Sequence, residues 1–273
     1  MTVKSIQIEY SNKNGFTSSS IDGVRHTKAL PYVSIVQAVE GNYGISLDNG
    51  KSFNTEDCGF FIAPSDVLQT ITHNTDKHTK KIVCRWVFLK ILINGQYSFD
   101  ELYDFPVIIP QPYKKEMHAL FDRLFSTDDP FEETVCYYEI VRLLHLLSRK
   151  SNRKNSQHIE KAIAYVKKNY KDKITVQDIA SHIGLSASHL HSVFRKDLNT
   201  SPINYLNKYR LSIAAEELLK TDRLVNDVAY SVGINDSVYF NKLFKKTYQA
   251  SPTQYRKTYK NGFVMQSDKF IHK

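Results

Sequence analysis

Two segments of this chain, residues 178–205 and 227–255, are copies of one pattern, and this duplication limits the fold more than any other feature. In the first half of the pattern, Asp178, Ala180 and Gly184 recur 49 positions later. In the second half the offset is 50, and Leu190, Phe194, Lys196, Ser201, Pro202 and Tyr205 return as Phe240, Phe244, Lys246, Ser251, Pro252 and Tyr255. One inserted residue explains the change of offset. Two copies of this length predict two similar units rather than a solenoid.

Each copy has the pattern of a helix-turn-helix. Apolar residues at helical spacing predict a helix over 176–183, and Gly184 follows where a left-handed C-cap residue is expected. Ser186 is a good N-cap for a second helix over 187–198. The second copy repeats this order, with Gly233 before a helix from about 236 to 248. Between the copies, residues 202–219 are apolar enough to form a connecting helix that fixes the spacing of the two units.

The second helix of each copy has an apolar face and a polar face. Tyr239, Phe240, Leu243 and Phe244 are expected to pack in the second copy. The outward positions, which we expect to contact DNA bases, are Ser188, His191, Ser192, Arg195, Ser237, Val238, Asn241 and Lys242. In a major groove, Asn can pair with adenine and Lys can reach guanine. Cations just beyond this face suit phosphates: Lys196, Lys245, Lys246, Arg256 and Lys257. The alternative is a polar face that is merely solvated.

The distribution of charge supports a polyanionic partner. Residues 1–150 contain 16 Lys and Arg against 18 Asp and Glu, a net charge of −2, whereas residues 151–273 contain 21 against 10, a net charge of +11. The positive charge therefore lies in the same part of the chain as the duplication. A basic excess of this kind favours double-stranded DNA as the partner of the C-terminal part.

The first 110 residues have a different pattern. Short segments rich in Val, Ile, Phe and Tyr alternate with Gly, Asn and Asp turns, which predicts an antiparallel barrel or sandwich. Helical spacing then returns over 114–125 and 130–147, with Asp129 and Pro130 in the turn between the two helices. The polar segment 151–157 is the expected linker. The predicted chain is α+β, with a β-rich domain and helical hairpin over 1–150, an all-α domain over 158–258, and a tail over 259–273.

The second copy, DVAYSVGINDSVYFNKLFKKTYQASPTQYR, resembles the AraC/XylS family of bacterial transcription regulators. The positions that carry the resemblance are Ala229, Val232, Gly233, Tyr239, Phe240, Phe244, Lys245, Lys246, Ser251, Pro252, Tyr255 and Arg256. Ile234 departs from the pattern, since the family often has an aromatic residue there. The resemblance implies a seven-helix domain over 158–258 that places its two helix-turn-helix units in successive major grooves. It leaves open whether the protein is a transcription activator or a repressor, and RNA polymerase would be a further partner of an activator.

The N-terminal part resembles the cupin-like sensing barrel and paired helices of the arabinose-responsive branch of that family. The resemblance rests on Arg25, on EGNYGISL followed by GFFIAPSD, and on RWVF. It implies a small effector, a sugar, in a pocket formed by Arg25, His73 and Trp86. It also implies a homodimer through the helices at 114–148, although these helices could equally be ordinary packing against the barrel. Trp86 lies in an apolar run over 82–92, so it can equally be an ordinary core residue.

Other classes of protein have little support in the sequence. Metal-dependent cupins need a close His pair, but residues 1–150 contain no HxH, and their candidates are His26, Glu40, His73 and His78. Neither a GxSxG elbow nor a phosphate-cradling motif is present. We therefore expect no enzyme activity, no metal and no cofactor. A DNA-binding regulator without an effector remains the main alternative. The absence of a signal peptide or membrane-spanning stretch predicts a cytoplasmic protein.

Overall fold

The computed structural model describes residues 3–95, 97–150 and 157–260, and the chain divides into two compact units. The described part of the first unit ends at Lys150, and that of the second begins at Gln157. Most of the expected linker, residues 151–156, lies outside the described residues, and Gln157 is already the first residue of a helix. Of the expected tail, Tyr259 ends the last helix and Lys260 is its C-cap. Residues 261–273 lie outside the described part.

The first unit contains two antiparallel sheets. One sheet has the order β1-β8-β3-β6, with β9 also paired to β8, and the other has the order β2-β7-β4-β5. The strands are β1 (Ile6–Ser18), β2 (Arg25–Lys28), β3 (Val33–Glu40), β4 (Asn42–Leu47), β5 (Ser52–Asn54), β6 (Phe60–Ala63), β7 (Gln69–Asn74), β8 (Ile82–Ile93) and β9 (Tyr97–Ser98). The β-rich fold predicted for this part is thus observed. Closure of the two sheets into a cupin barrel stays a prediction.

The register of β7 determines which side chains face the interior. Gln69, Ile71 and His73 alternate with outward residues, as strand geometry requires. Across the ladder with β2, Gln69 lies opposite Lys28 and Ile71 lies opposite His26. Directly opposed residues share a face of the sheet, so His26 and Lys28 also point inward.

Two long helices complete the first unit. After the short helix α1 (Phe99–Leu102) come α2 (Gln111–Ser126) and α3 (Pro130–Leu147), and β10 (Tyr103–Asp104) pairs with β11 (Arg149–Lys150). The side chain of Asp129 caps α3 by accepting a hydrogen bond from the amide of Phe131. The apolar stripe predicted for α2, Met117, Leu120, Phe121 and Leu124, is buried. The helical hairpin therefore forms where the sequence pattern predicts it.

The second unit has seven helices within residues 157–260. They are α4 (Gln157–Asn169), α5 (Val176–His182), α6 (Ala187–Leu198), α7 (Pro202–Lys220), α8 (Val225–Ser231), α9 (Ser237–Tyr248) and α10 (Pro252–Tyr259). The helix pairs α5–α6 and α8–α9 are the two predicted helix-turn-helix units, and α7 is the predicted connector. Gly184 and Gly233, in the turns of the two units, both have positive φ, 72° and 79°.

Candidate nucleic-acid interface and internal cavity

We call α6 and α9 the candidate reading helices, because their outward residues are expected to contact DNA bases. In the first of them, α6, core and outward residues lie on separate faces, as the sequence predicts. Ser186 caps the helix by accepting a hydrogen bond from the amide of His189 at 3.2 Å, and Leu190 and Phe194 are buried. The four residues expected to contact bases are all exposed: Ser188, His191, Ser192 and Arg195. They form one polar face, and they offer both hydrogen-bond donors and a guanidinium for the acceptors of a major groove.

The second candidate reading helix, α9, has the same layout with different chemistry. Phe240, Phe244 and Tyr248 are buried. Val238, Asn241 and Lys242 are exposed, and Ser237 is half-buried. Val238 is 77% exposed, an apolar group on a polar face. The amide of Asn241 donates to the carbonyl oxygen of Ser237 at 2.7 Å, so pairing with a base would replace a bond within the helix.

The structure corrects the expectation that Tyr239 packs in the core. Its side chain is 45% exposed, and its hydroxyl accepts a hydrogen bond from the amide of Asn207 on α7 at 3.1 Å. The apolar face of α9 is already filled by Phe240 and Phe244, and Tyr239 lies beside that face rather than on it. The aromatic ring therefore connects α9 to α7 at the surface.

Four of the five residues expected to contact phosphate are exposed: Lys196, Lys245, Lys246 and Lys257. Arg256 differs because its guanidinium donates hydrogen bonds to the carbonyl oxygens of Leu218 and Arg223. These carbonyls lie at and just beyond the C-terminal end of α7, where backbone acceptors lack helical partners. Arg256 thus holds the end of α7 and is less suited than the four lysines to reach a phosphate.

The loop after α4 contacts both α7 and the turn between α8 and α9, which was not expected from the sequence. Arg210 is buried and donates to the carbonyl oxygens of Tyr170 and Asp172, each at 2.7 Å. A Cβ on Gly233 would lie 2.6 Å from the carbonyl oxygen of Lys171 and 2.7 Å from that of Tyr170. The loop after α4 therefore contacts both the connecting helix α7 and the turn of the second helix-turn-helix unit. The available signal was an Arg four residues after Leu206 and four before Ala214, on the apolar face of the predicted helix.

The first unit contains a cavity between its two sheets, with a volume of about 20 Å³. Its wall is formed by Phe16, His26, Lys28, Val36, Tyr43, Phe61, Ile71, His73 and Trp86. Phe16 and His26 are partly exposed, whereas the other lining residues are buried, so these two mark the side nearest the surface. A space of this size holds about one water-sized group.

Two of the three residues expected to bind an effector line this cavity. His73 and Trp86 are both buried in its wall. Arg25 is exposed and faces outward from β2, because successive side chains of a strand point to opposite faces. The inward cation of β2 is Lys28, which the sequence analysis did not select. The alternation in the short segment RHTK was a signal for it, but which face was inward could not be decided from sequence.

Burial makes the charged forms of the cavity's basic groups unfavourable. It lowers the pKa of Lys28 to about 8. It lowers the pKa of His73 to about 4, with a further contribution from the charge of Lys28, and also lowers the pKa of His26. Nε2 of His73 lies 3.1 Å from Nδ1 of His26, within hydrogen-bond distance. Neutral pH lies above the pKa of His73 and below that of Lys28, so this is a neutral histidine pair beside a buried ammonium group.

The cavity is a poor candidate for a metal centre. Within residues 3–95, 97–150 and 157–260, no group of three or more His, Cys, Asp or Glu side chains is placed to hold a metal ion. One ring nitrogen of each histidine is used in the hydrogen bond between His26 and His73, and the ammonium group of Lys28 in the same wall repels cations. This arrangement suits binding of a small molecule better than metal-assisted chemistry.

Comparison with known proteins agrees with the description of the second unit. Residues 179–258 match the model of a helix-turn-helix domain. The chain is 35% identical over 101 residues to the lactose operon transcription activator of Staphylococcus xylosus, covering 37% of this chain and 36% of that protein. It is 33% identical over 122 residues to the raffinose operon transcriptional regulatory protein RafR of Pediococcus pentosaceus, covering 45% and 44%. Residues 179–258 are thus a helix-turn-helix domain of the AraC/XylS type.

The chain also resembles a solved structure over most of its length. ToxT from Vibrio cholerae aligns with 90% of this chain and 97% of its own, with a TM-score of 0.59 and 12% identity. At this identity the likeness concerns the fold alone. The matches to the two operon regulators span less than half of those proteins, so the activity of the whole chain is argued below as a proposal. None of the described helices is long and apolar enough to cross a membrane.

Proposed function

We propose that this chain is a sequence-specific transcription regulator, and not an enzyme, that places α6 and α9 in successive major grooves of DNA. The observation that carries the proposal is the pair of exposed polar faces on two duplicated helices, within a segment of net charge +11. A connecting helix held by Arg210 at its middle and by Arg256 at its C-terminal end supports a fixed spacing of the two faces, which two helices in successive major grooves require. RNA polymerase is the further partner that an activator of this family would contact.

Selection of bound sequences from a random DNA pool, followed by gel-shift titration, tests this proposal. Lys242→Ala and His191→Ala should relax sequence preference at separate positions of the selected site. Lys246→Ala should weaken binding to selected and random DNA alike, and should reduce the dependence of affinity on salt. Equal losses on both kinds of DNA for the first two variants would remove those residues from the base-contacting face.

We further propose that the first unit binds a small effector in the cavity between its sheets. A cavity lined by His73 and Trp86 and bordered by polar groups supports this role. The names of the lactose and raffinose operon regulators favour a sugar, whereas one ToxT structure is titled as bound to an unsaturated fatty acid. An effector-independent regulator is the alternative, and it predicts that no ligand of this cavity changes DNA affinity.

We propose that the protein acts as a homodimer through α3, so that effector binding changes the spacing of two DNA-binding domains. Four apolar side chains on one face of α3 are exposed: Phe131, Val135, Tyr138 and Leu146. Successive members of this set are four, three and eight residues apart, which keeps them on the one helix face that a partner helix would cover. Val135→Asp should shift the protein to monomer in light-scattering chromatography, and Lys115→Glu on α2 is the control for added negative charge. A monomeric wild-type protein would contradict this part.

A further inference from the structure

The wall of the internal cavity carries a cation and no acid. Lys28 is 5% exposed, and its Nζ lies 5.3 Å from the ring centroid of Phe88. The other described residues that line the cavity are aromatic, aliphatic or histidine, and none of them is Asp or Glu. In such apolar surroundings a positive charge attracts an anion much more strongly than it does in water. The cavity wall therefore favours a negatively charged ligand over a neutral one.

Buried polar groups in and beside the cavity wall also have unused hydrogen-bonding capacity. His73 lines the cavity, and Gln69 and Ser34 lie two residues from the lining residues Ile71 and Val36, on the same faces of their strands. Gln69, which lies opposite Lys28 on β7, is fully buried, and neither its amide nitrogen nor its amide oxygen has a hydrogen-bond partner among the described residues. The same holds for Oγ of Ser34 and Nδ1 of His73, both on buried side chains. Most buried polar groups in proteins have partners. These atoms are thus available to a polar group from outside the chain.

The histidine pair can add a donor to this set. If Nδ1–H of His26 donates to Nε2 of His73, then neutral His73 carries its own proton on Nδ1, the atom that has no partner. In this tautomer His73 donates toward an acceptor in the cavity. The amine of Lys28 and the amide nitrogen of Gln69 are also donors. An acceptor with a negative charge and several lone pairs matches all three.

The size of the cavity restricts what can occupy it. A volume of about 20 Å³ accommodates one small group rather than a whole sugar ring. The partly exposed side chains of Phe16 and His26 mark the direction in which a larger molecule would extend. The arrangement thus suits a small charged head group, with the remainder of the ligand directed toward Phe16.

We propose that this cavity binds the carboxylate of a small organic acid, with Lys28 as its counter-charge and Gln69 as a hydrogen-bond donor. The inference rests on the proposed effector function of the first unit and gives that effector a chemical class. A carboxylate accepts from both groups, and charge-assisted hydrogen bonds of this kind are the strong ones. Sugar acids and aliphatic acids share this head group.

Fluorescence of Trp86, the one tryptophan of the chain, is the first measurement because its ring lines the cavity. The full-length protein is titrated at constant ionic strength with two matched pairs, galacturonate against galactose and hexanoate against hexanamide. We expect saturable binding of at least one acid, about thirtyfold tighter than its neutral counterpart. The acid of the successful pair shows whether the source is a sugar acid or an aliphatic acid.

Three variants then assign the residues. Lys28→Met should weaken binding of the acid about thirtyfold, and Gln69→Leu should weaken it about tenfold. Arg25→Ala, a basic residue of the same strand that faces outward, should leave binding unchanged. Because the Gln69 amide has no hydrogen-bond partner in the described part of the chain, Gln69→Leu should keep or raise the melting temperature of the ligand-free protein. A lower melting temperature together with unchanged affinity would mean that Gln69 is structural.

Several results would overturn the inference. Equal affinity for acid and neutral partner would show that charge is not selected, while the effector function itself would stand. No response to either acid, from a protein that still shifts selected DNA, would overturn the inference and leave the DNA-binding proposal intact. If Lys28→Met fails to fold, the comparison of acid with neutral ligand on the wild-type protein still decides. Loss of DNA binding by the wild type would instead contradict the proposed function.

Discussion

In the first helix-turn-helix unit a capping box precedes α5, whereas in the second helix-turn-helix unit the N-cap residue of α8 is Leu224, whose side chain forms no cap. Oγ1 of Thr175 accepts a hydrogen bond from the amide of Asp178 at 3.2 Å, and the Asp178 carboxylate accepts from the amide of Thr175 at 2.7 Å. Leu224 is 71% exposed. For the second helix of each helix-turn-helix unit, the stronger cap is in the second copy. Asp236 accepts hydrogen bonds from two amides of α9, whereas Ser186 accepts one from α6.

The two turns differ in a similar way. Gly184 has open space around the position of a Cβ, whereas a Cβ on Gly233 would contact the backbone of the loop after α4. The first helix-turn-helix unit is therefore stabilised mainly by local hydrogen bonds. The second helix-turn-helix unit is stabilised mainly by contact with the loop after α4, which is distant in sequence. Two copies of one pattern can thus keep the same fold while depending on different interactions. Equivalent substitutions should then have unequal effects.

The largest difference is expected at the two turn glycines. Gly184→Ala places an alanine at positive φ and should cost about 1–2 kcal/mol of unfolding free energy. Gly233→Ala meets the same strain and also forces the carbonyls of Tyr170 and Lys171 away, so about 3 kcal/mol or more is expected. Urea unfolding followed by far-UV circular dichroism measures both. Equal midpoints for the two variants would show that the loop contact is absent in solution.

Arg210→Met tests the same loop from the side of α7. The change removes the two hydrogen bonds that the buried guanidinium donates to the carbonyl oxygens of Tyr170 and Asp172, which should cost about 2–3 kcal/mol. Lys208→Met, an exposed cation on the same helix, is the control and should change the unfolding midpoint little. If both variants unfold alike, Arg210 does not hold the loop.

The second unit of the chain could be predicted from sequence in detail because its signals are local. Caps, turn glycines and apolar spacing lie within a few residues of the helices they define, and α6 forms over the predicted residues. Tyr239 was the exception, because a ring at the edge of an apolar face can turn toward either side. The contacts of Arg210 and Arg256 join segments more than thirty residues apart, and no local pattern shows them.

The first unit was predictable in class but not in the detail of its cavity. Alternating apolar residues indicated antiparallel strands, and the sequence analysis selected His73 and Trp86. The inward face of β2 depends on its pairing with β7, more than forty residues away, and a shift of one residue would exchange Arg25 for His26. Arg25 was therefore selected where Lys28 faces the cavity. Register across long separations is the information that a single sequence lacks.

Removal of the reading-helix caps should have a smaller effect than the changes to the loop. Asp236→Ala frees two amides of α9 and should cost about 1–2 kcal/mol, whereas Ser186→Ala frees one amide of α6 and should cost about 0.5–1 kcal/mol. Thermal unfolding of the two variants, side by side, measures the difference. A larger loss of stability for Ser186→Ala than for Asp236→Ala would mean that the first helix-turn-helix unit depends on the cap of α6 as well as on that of α5.

The smallest expected effect is a gain, obtained by giving α8 the cap that α5 already has. Asp227 occupies the third position of α8, as Asp178 does in α5, so Leu224→Thr recreates the capping box. The exposed Leu224 side chain contributes little packing, and the new cap should add about 0.5–1 kcal/mol of stability. Leu224→Ala removes the same side chain without adding a cap and should not stabilise the protein. If the Leu224→Thr and Leu224→Ala variants have the same melting temperature, the missing cap does not distinguish the two helix-turn-helix units. The loop contact at Gly233 must then account for their difference alone.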